Sequence, residues 1–203
     1  MRTLQFHYNH LLQGDFEIKN LNVLLVFQVN CPGCFSYALP FFNQLYKEFV
    51  SDGVSFLALS TAFEDFDKNT LANTKALVED AVVIGETKKM MIQQGYEKLP
   101  YTLDFPIAMD QLEEDPSDMD TVIESICVLN PNYLQWGEAE KEALQKRVKK
   151  YISTLDKVAL TFTLNQLRGT PSFVLFNKEY EILDEWFGHV PYKSISEKMK
   201  QFV

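Results

Sequence analysis

The chain has 203 residues, 46% hydrophobic and 23% charged, with only 8 Gly and 8 Pro; this is apolar material enough for one sizeable core and excludes a disordered or fibrous protein. Its 28 acidic against 19 basic side chains leave a net charge of −9. Such a surface repels phosphate backbones and anionic lipid, so neither nucleic acid nor membrane is an expected partner.

The N-terminal stretch MRTLQFHYNHLLQGDFEIKN lacks the charged start, long apolar core and small-residue cleavage site of a signal peptide. Apolar runs such as VLLVF are too short to cross a bilayer. A cytoplasmic location is expected, and there a CxxC pair cycles catalytically or holds a metal rather than forming a permanent disulfide.

In chain order, Val23 to Val29 is a nearly continuous apolar run, as expected of a central strand covered on both faces. VNCPGCF comes at once after it, and then Phe35, Ala38, Leu39, Phe42, Leu45, Tyr46 and Phe49 recur at spacings of three or four, predicting an amphipathic helix that Pro40 should kink. Val54 to Ser60 reads as a second buried strand. A broken helix across Leu71 to Gln94 leads to a short third strand, Phe105 to Asp110. This alternation predicts a βαβ architecture with a parallel core.

After Asp110 the acidic turn QLEEDPSDMD precedes a short helix, SDMDTVIESICVL, which Asn130-Pro131-Asn132 ends. A second helix begins at Glu138, with acids in its first turn and the basic run KRVKK, Lys146 to Lys150, at its end, where it complements the helix dipole. Residues 111–160 thus read as a helical hairpin inserted in an α/β core made of residues 1–110 and 161–203. The core pattern resumes with a short helix, Thr161 to Leu167, then two strands, Ser172 to Asn177 and Glu181 to Phe187, joined as a hairpin. A terminal helix starts near Pro191.

Cys31 and Cys34 hold the chemistry. At a strand-to-helix junction the first sulfur of a CxxC meets unpaired backbone N–H groups and the positive end of the helix dipole, which favour thiolate. The second cysteine, one turn on, can close a disulfide with the first, so one site exchanges two electrons. Cys31 is the candidate attacking thiol and Cys34 the candidate resolving thiol. A zinc site needs about four ligands and CxxC offers two; His7 and His10 could complete one only on paper, so no metal is expected. Cys127 on the apolar side of its helix reads as a small buried hydrophobe, and His189 as structural. Phe35, Tyr37, Phe41 and Phe42 fit a core better than a rim around a substrate.

The order of strand VLLVFQV, CPGC, proline-bearing helix and, much later, GTPSFVLF before a hairpin resembles the thioredoxin-like superfamily, more closely its TlpA-like and redoxin branch. The resemblance covers roughly residues 15–110 and 160–203. It implies a thioredoxin-like fold with a central mixed sheet flanked by helices and the helical insertion added. It also implies a cis-proline, Pro171, beside the CxxC, with Thr170 offering its backbone to an extended substrate. The expected activity is that of a thiol-disulfide oxidoreductase, reducing protein or small-molecule disulfides and needing no cofactor beyond a redox partner that recycles the dithiol.

Three departures qualify the likeness. Asn30 stands where many members have Trp, and Leu25 stands where classical thioredoxins bury an acid, which leaves Glu64 and Asp65 as candidate proton acceptors in a loop that otherwise reads as solvated. Pro40 lies six residues after Cys34, where thioredoxins have five. That spacing, in PGCxxxxLP, is similar to atypical peroxiredoxins and supplies an alternative: a thiol peroxidase with Cys34 as the peroxidatic residue. A further alternative is a non-catalytic interaction module acting through the insertion.

Overall fold

The unbroken apolar run near the start of the chain forms the centre of a six-stranded sheet. The computed structural model describes residues 2–113, 119–155 and 157–203. Its first strands are β1 (Tyr8–Gln13), β2 (Leu21–Phe27), β3 (Ser55–Ser60) and β4 (Ile107–Asp110). A two-residue ladder comes next, β5 (Leu112–Glu113) and β6 (Val158–Ala159), and the hairpin β7 (Ser172–Asn177) and β8 (Ile182–Phe187) completes the strands. The main sheet runs β1-β4-β3-β2-β7-β8. β2, β3 and β4 are parallel, whereas β7, β8 and β1 pair antiparallel to their neighbours.

Every residue of β2 is buried because the sheet is covered on both sides. On one side Val23, Leu25 and Phe27 pack with residues of helices α1 (Leu39–Phe49), α2 (Leu71–Asp80) and α3 (Gly85–Gln93). On the other, Leu24 and Val26 meet Leu57, Leu59, the N-terminal Leu4 and the half-buried Phe162. The alternation of side chains along the strand divides the core in this way.

The insertion carries α4 (Met119–Val128) and α5 (Glu138–Ile152), and α6 (Leu160–Leu164) adjoins its end. These enclose a small core of their own in which Met119, Ile123, Cys127, Tyr133 and Ile152 meet Leu160 and Leu164. Cys127 is thus packing material, and burial pushes its thiol pKa up. Where the insertion leaves and rejoins the core, Leu112 pairs with Ala159 and Glu113 with Val158. The last helix, α7 (Tyr192–Met199), returns Ile195 and Met199 to the first face.

Two features depart from the sequence expectation. β1, in the polar stretch YNHLLQ, carries no strand signal; it is an edge strand with two register shifts against β4 and a left-handed residue at His10. The helix of Thr161 to Leu167 is shorter and starts earlier, at Leu160, because Asp110 caps it: Thr161 N donates to Asp110 Oδ1 at 2.9 Å and Phe162 N to Oδ2 at 3.2 Å.

Candidate active site

β2 ends at Phe27, and four residues later the chain turns into a helix at Cys31. The carbonyl of Cys31 accepts from Cys34 N at 2.9 Å and Phe35 N at 3.4 Å, and its sulfur accepts from Cys34 N at 3.2 Å. Cys31 therefore occupies the N-cap position, with Sγ where a Ser or Asp oxygen would normally sit. Pro32 takes the first helical position, where a missing N–H costs nothing. An N–H aimed at sulfur at the positive end of a helix is the arrangement that favours thiolate over thiol.

Cys34 is bonded to Cys31 in a disulfide with the Cα atoms 5.3 Å apart. The two sulfurs are not equivalent. Cys31 is partly exposed, whereas Cys34 is 0% exposed and belongs to the main core. From Cys34 to Ala38 the helix widens into a π turn, with Leu39 N donating to the Cys34 carbonyl, before α1 continues as a regular helix with Pro40 in its first turn. A π turn accommodates one extra residue while the helix beyond it keeps the same face toward the core. This turn absorbs the one-residue excess in the spacing from Cys34 to Pro40, and Pro40 follows it directly, so the helix departs from regular geometry immediately before the proline.

Across the site, Thr170-Pro171 closes over the dithiol from the start of β7. The Thr170–Pro171 peptide is cis. The Thr170 carbonyl oxygen lies 3.7 Å from Cys31 Sγ. Its hydroxyl is held at 2.9 Å by Oε1 of Gln28, a residue 3% exposed, whose Nε2 reaches the Glu64 carbonyl. The Pro171 carbonyl accepts from Gly188 N at 2.9 Å, bringing the next loop alongside. In that loop the exposed His189 ring stacks on Tyr37, centroids 3.9 Å apart, and the Tyr37 hydroxyl donates to the Val190 carbonyl.

Among solved structures, the chain is similar to a thioredoxin-like superfamily protein, at 18% identity over 98% of this chain and 95% of that one, with a TM-score of 0.58. It is likewise similar to a thiol-disulfide isomerase from Corynebacterium glutamicum, at 16% identity over 99% of this chain and 95% of that one, with a TM-score of 0.59. The fold is thioredoxin-like. No family model and no curated protein matches the sequence.

Within this thioredoxin-like fold the residues singled out in the sequence come together: Cys31, Cys34, Thr170 and Pro171 sit within one cluster although 139 residues separate Cys31 from Thr170. The loop acids divide. Asp65 takes a hydrogen bond at 2.6 Å from Nδ2 of Asn30, the residue before Cys31, while Glu64 meets the site through its backbone carbonyl, which accepts from Gln28 and Asn69. Phe35, Phe41 and Phe42 are core, as their spacing indicates. His7 and His10 do not join a ligand cluster: among the described residues no group of three or more His, Cys, Asp or Glu could hold a metal ion.

Two site residues escape a reading of the sequence. Gln28 braces Thr170 from beneath, but a glutamine at a strand end carries no signal by itself. Asn30 stands out in the sequence only for the residue it replaces. Its side chain bridges Asp65 and, at 2.8 Å, the Glu86 N–H at the start of α3, so it ties the dithiol's approach to two neighbouring elements.

Proposed function

We propose that the protein is a thiol-disulfide oxidoreductase that reduces disulfides of protein or small-molecule substrates. The asymmetry of the pair carries the reading: a partly exposed Cys31 sulfur at a helix N-cap, backed by a buried Cys34. In the reduced protein the Cys31 thiolate attacks one sulfur of a substrate disulfide. The substrate S–S bond breaks, the departing thiolate takes a proton from solvent, and a mixed disulfide joins substrate to Cys31. Cys34 then loses its proton and attacks Cys31 Sγ, expelling the second substrate thiolate. Two electrons have passed to the substrate, and a dithiol partner restores the pair.

Thr170 and Pro171 line the path of an incoming chain, and the Thr170 backbone offers hydrogen bonds to it. A cytoplasmic setting, with its reducing poise, suits this direction. The peroxidase alternative fares less well. Cys34 is wholly covered, so a hydroperoxide would meet Cys31 first, and the π turn accounts for the Pro40 spacing that motivates that alternative.

The test is insulin reduction with dithiothreitol as the recycling dithiol. Wild type should accelerate it, Cys31→Ser should abolish the acceleration, and Cys34→Ser should accumulate a mixed disulfide visible on a non-reducing gel. Activity retained by Cys31→Ser, or no trapped species with Cys34→Ser, overturns the assignment.

A further inference from the structure

A cavity of about 550 Å³ lies between the insertion and the core. Phe63 and Phe162, stacked with centroids 4.0 Å apart, contribute to its core side; Leu144, Val148 and Leu155 contribute from the insertion. Tyr151, 61% exposed, also lines it. Its size falls within the range of ligand-binding clefts, and its lining is mostly apolar.

Two connections link this cavity to the dithiol. Leu167 and Gln166 line it and also line a second depression that continues to Ser172 and Phe187 beside Pro171. Leu167 is three residues from Thr170, so their Cα atoms are at most about 11 Å apart. On the other wall, Phe63 precedes Glu64, whose carbonyl accepts from Gln28, the residue that braces Thr170. A chain crossing Cys31 along Thr170 reaches the cavity within a few residues.

Charge adds a second requirement. Arg147, from the basic run of α5, lines the cavity, and among the described residues it makes no ion pair. In a protein of net charge −9 this exposed guanidinium beside an apolar hollow complements an anionic group next to an apolar one.

We propose that this cavity is a docking site for the polypeptide that carries the substrate disulfide, taking a short apolar stretch with an acidic residue next to it. The proposal rests on the oxidoreductase reading above and names its substrate class: extended chains with large apolar and acidic residues near the cystine. The insertion then selects substrates while the dithiol performs the exchange.

The experiment uses two disulfide peptides that differ only in a Phe-Leu-Glu or a Gly-Ser-Gly segment three residues from the cystine, with bis(2-hydroxyethyl) disulfide as a substrate too small to reach the cavity. Wild type should turn over the Phe-Leu-Glu peptide with kcat/KM at least about tenfold higher, equivalent to about 1.4 kcal/mol. Thr163→Trp, which fills the cavity, and Arg147→Glu, an exposed charge reversal, should bring the ratio near one while leaving the small disulfide unaffected.

The same peptides with Ser for Cys, monitored by fluorescence anisotropy, report docking without chemistry. Binding that both variants weaken supports the site even if no disulfide is reduced, an outcome that overturns the oxidoreductase reading alone. Equal kcat/KM for the two peptides in wild type, binding unchanged by both variants, or binding of laurate but of neither peptide overturns the docking site.

Discussion

Gly85 and Asn30 fit together only because Gly85 has no side chain: a Cβ there would run into the Asn30 amide oxygen, which is already held by the Glu86 N–H. Gly85 also has φ +51°, a left-handed conformation costly to any residue with a Cβ. Gly85→Ala should lower stability by about 2–3 kcal/mol, from about 1–2 of backbone strain and about 1 of disturbed hydrogen bonding. Chemical denaturation of Gly85→Ala in wild-type and Asn30→Gly backgrounds separates the two. The cost should fall by about 1 kcal/mol in the second background, and an equal cost in both would show that the contact with Asn30 is irrelevant.

Exposure predicts the order in which the thiols react. Cys34 and Cys127 are both 0% exposed, and Cys31 alone is partly open. After reduction, limiting iodoacetamide at neutral pH should label Cys31 first, with the other two reacting at least about tenfold more slowly. Peptide mapping by mass spectrometry reads the order, and Cys34 labelled as fast as Cys31 would restore the peroxidase alternative.

The π turn makes a deletion prediction. Removing Ser36, exposed and within Cys34–Ala38, should convert the turn to regular helix and leave the buried face of α1 in place. Removing Gln44, equally exposed but inside α1, rotates the rest of the helix by about 100° and pulls Leu45 and Phe49 out of the core. Thermal unfolding should show a folded protein for the first deletion and an unfolded or heavily destabilised one for the second. Two deletions of equal severity would mean that the turn is not a tolerated insertion.

Asp110 supplies the pH prediction. It is buried, and desolvation raises its carboxyl to about 6 despite hydrogen bonds from Thr61, Thr161 and Phe162. Its pKa in the unfolded chain is about 3.9. The folded state therefore binds this proton more tightly, so the group's contribution is fully present below about pH 4 and is lost as pH rises through about 6. About two pKa units correspond to about 3 kcal/mol. Asp110→Asn does not titrate, so urea unfolding at pH 4 and pH 7.5 should show wild type losing about that much relative to the variant. Parallel pH profiles would contradict this.

The sequence discloses those parts of the molecule that repeat a local rule. β2 is legible because a strand buried on both faces must be apolar throughout, and α5 because its acids and bases sit at the proper ends. Cys31 and Cys34 are legible because their spacing is itself the chemistry. β1 is not, since an irregular edge strand owes its existence to β4, about a hundred residues away. β5 and β6 are two residues each and exist only as partners. Gln28 and Asn30 have no local signature, because their roles are defined by Thr170, Asp65 and Glu86. The π turn leaves a trace, the extra residue before Pro40, but the same trace fits a different family pattern, and a sequence spacing does not show whether the backbone takes up the residue in a π turn.

The pairing of Leu112 with Ala159 and Glu113 with Val158 brings the two ends of the insertion to adjacent antiparallel strands, about 5 Å apart. For the folding chain, everything between them is then equivalent to a hairpin tip. Loop-closure entropy grows only as the logarithm of length, so a tip some forty residues long costs the sheet about 2–3 kcal/mol more than a tight turn, and the helices within it recover this by packing their own core. The architecture therefore permits the insertion to be lengthened, shortened or exchanged at that ladder without altering the main sheet, from whose strand β2 the chain passes into the turn that carries Cys31 and Cys34.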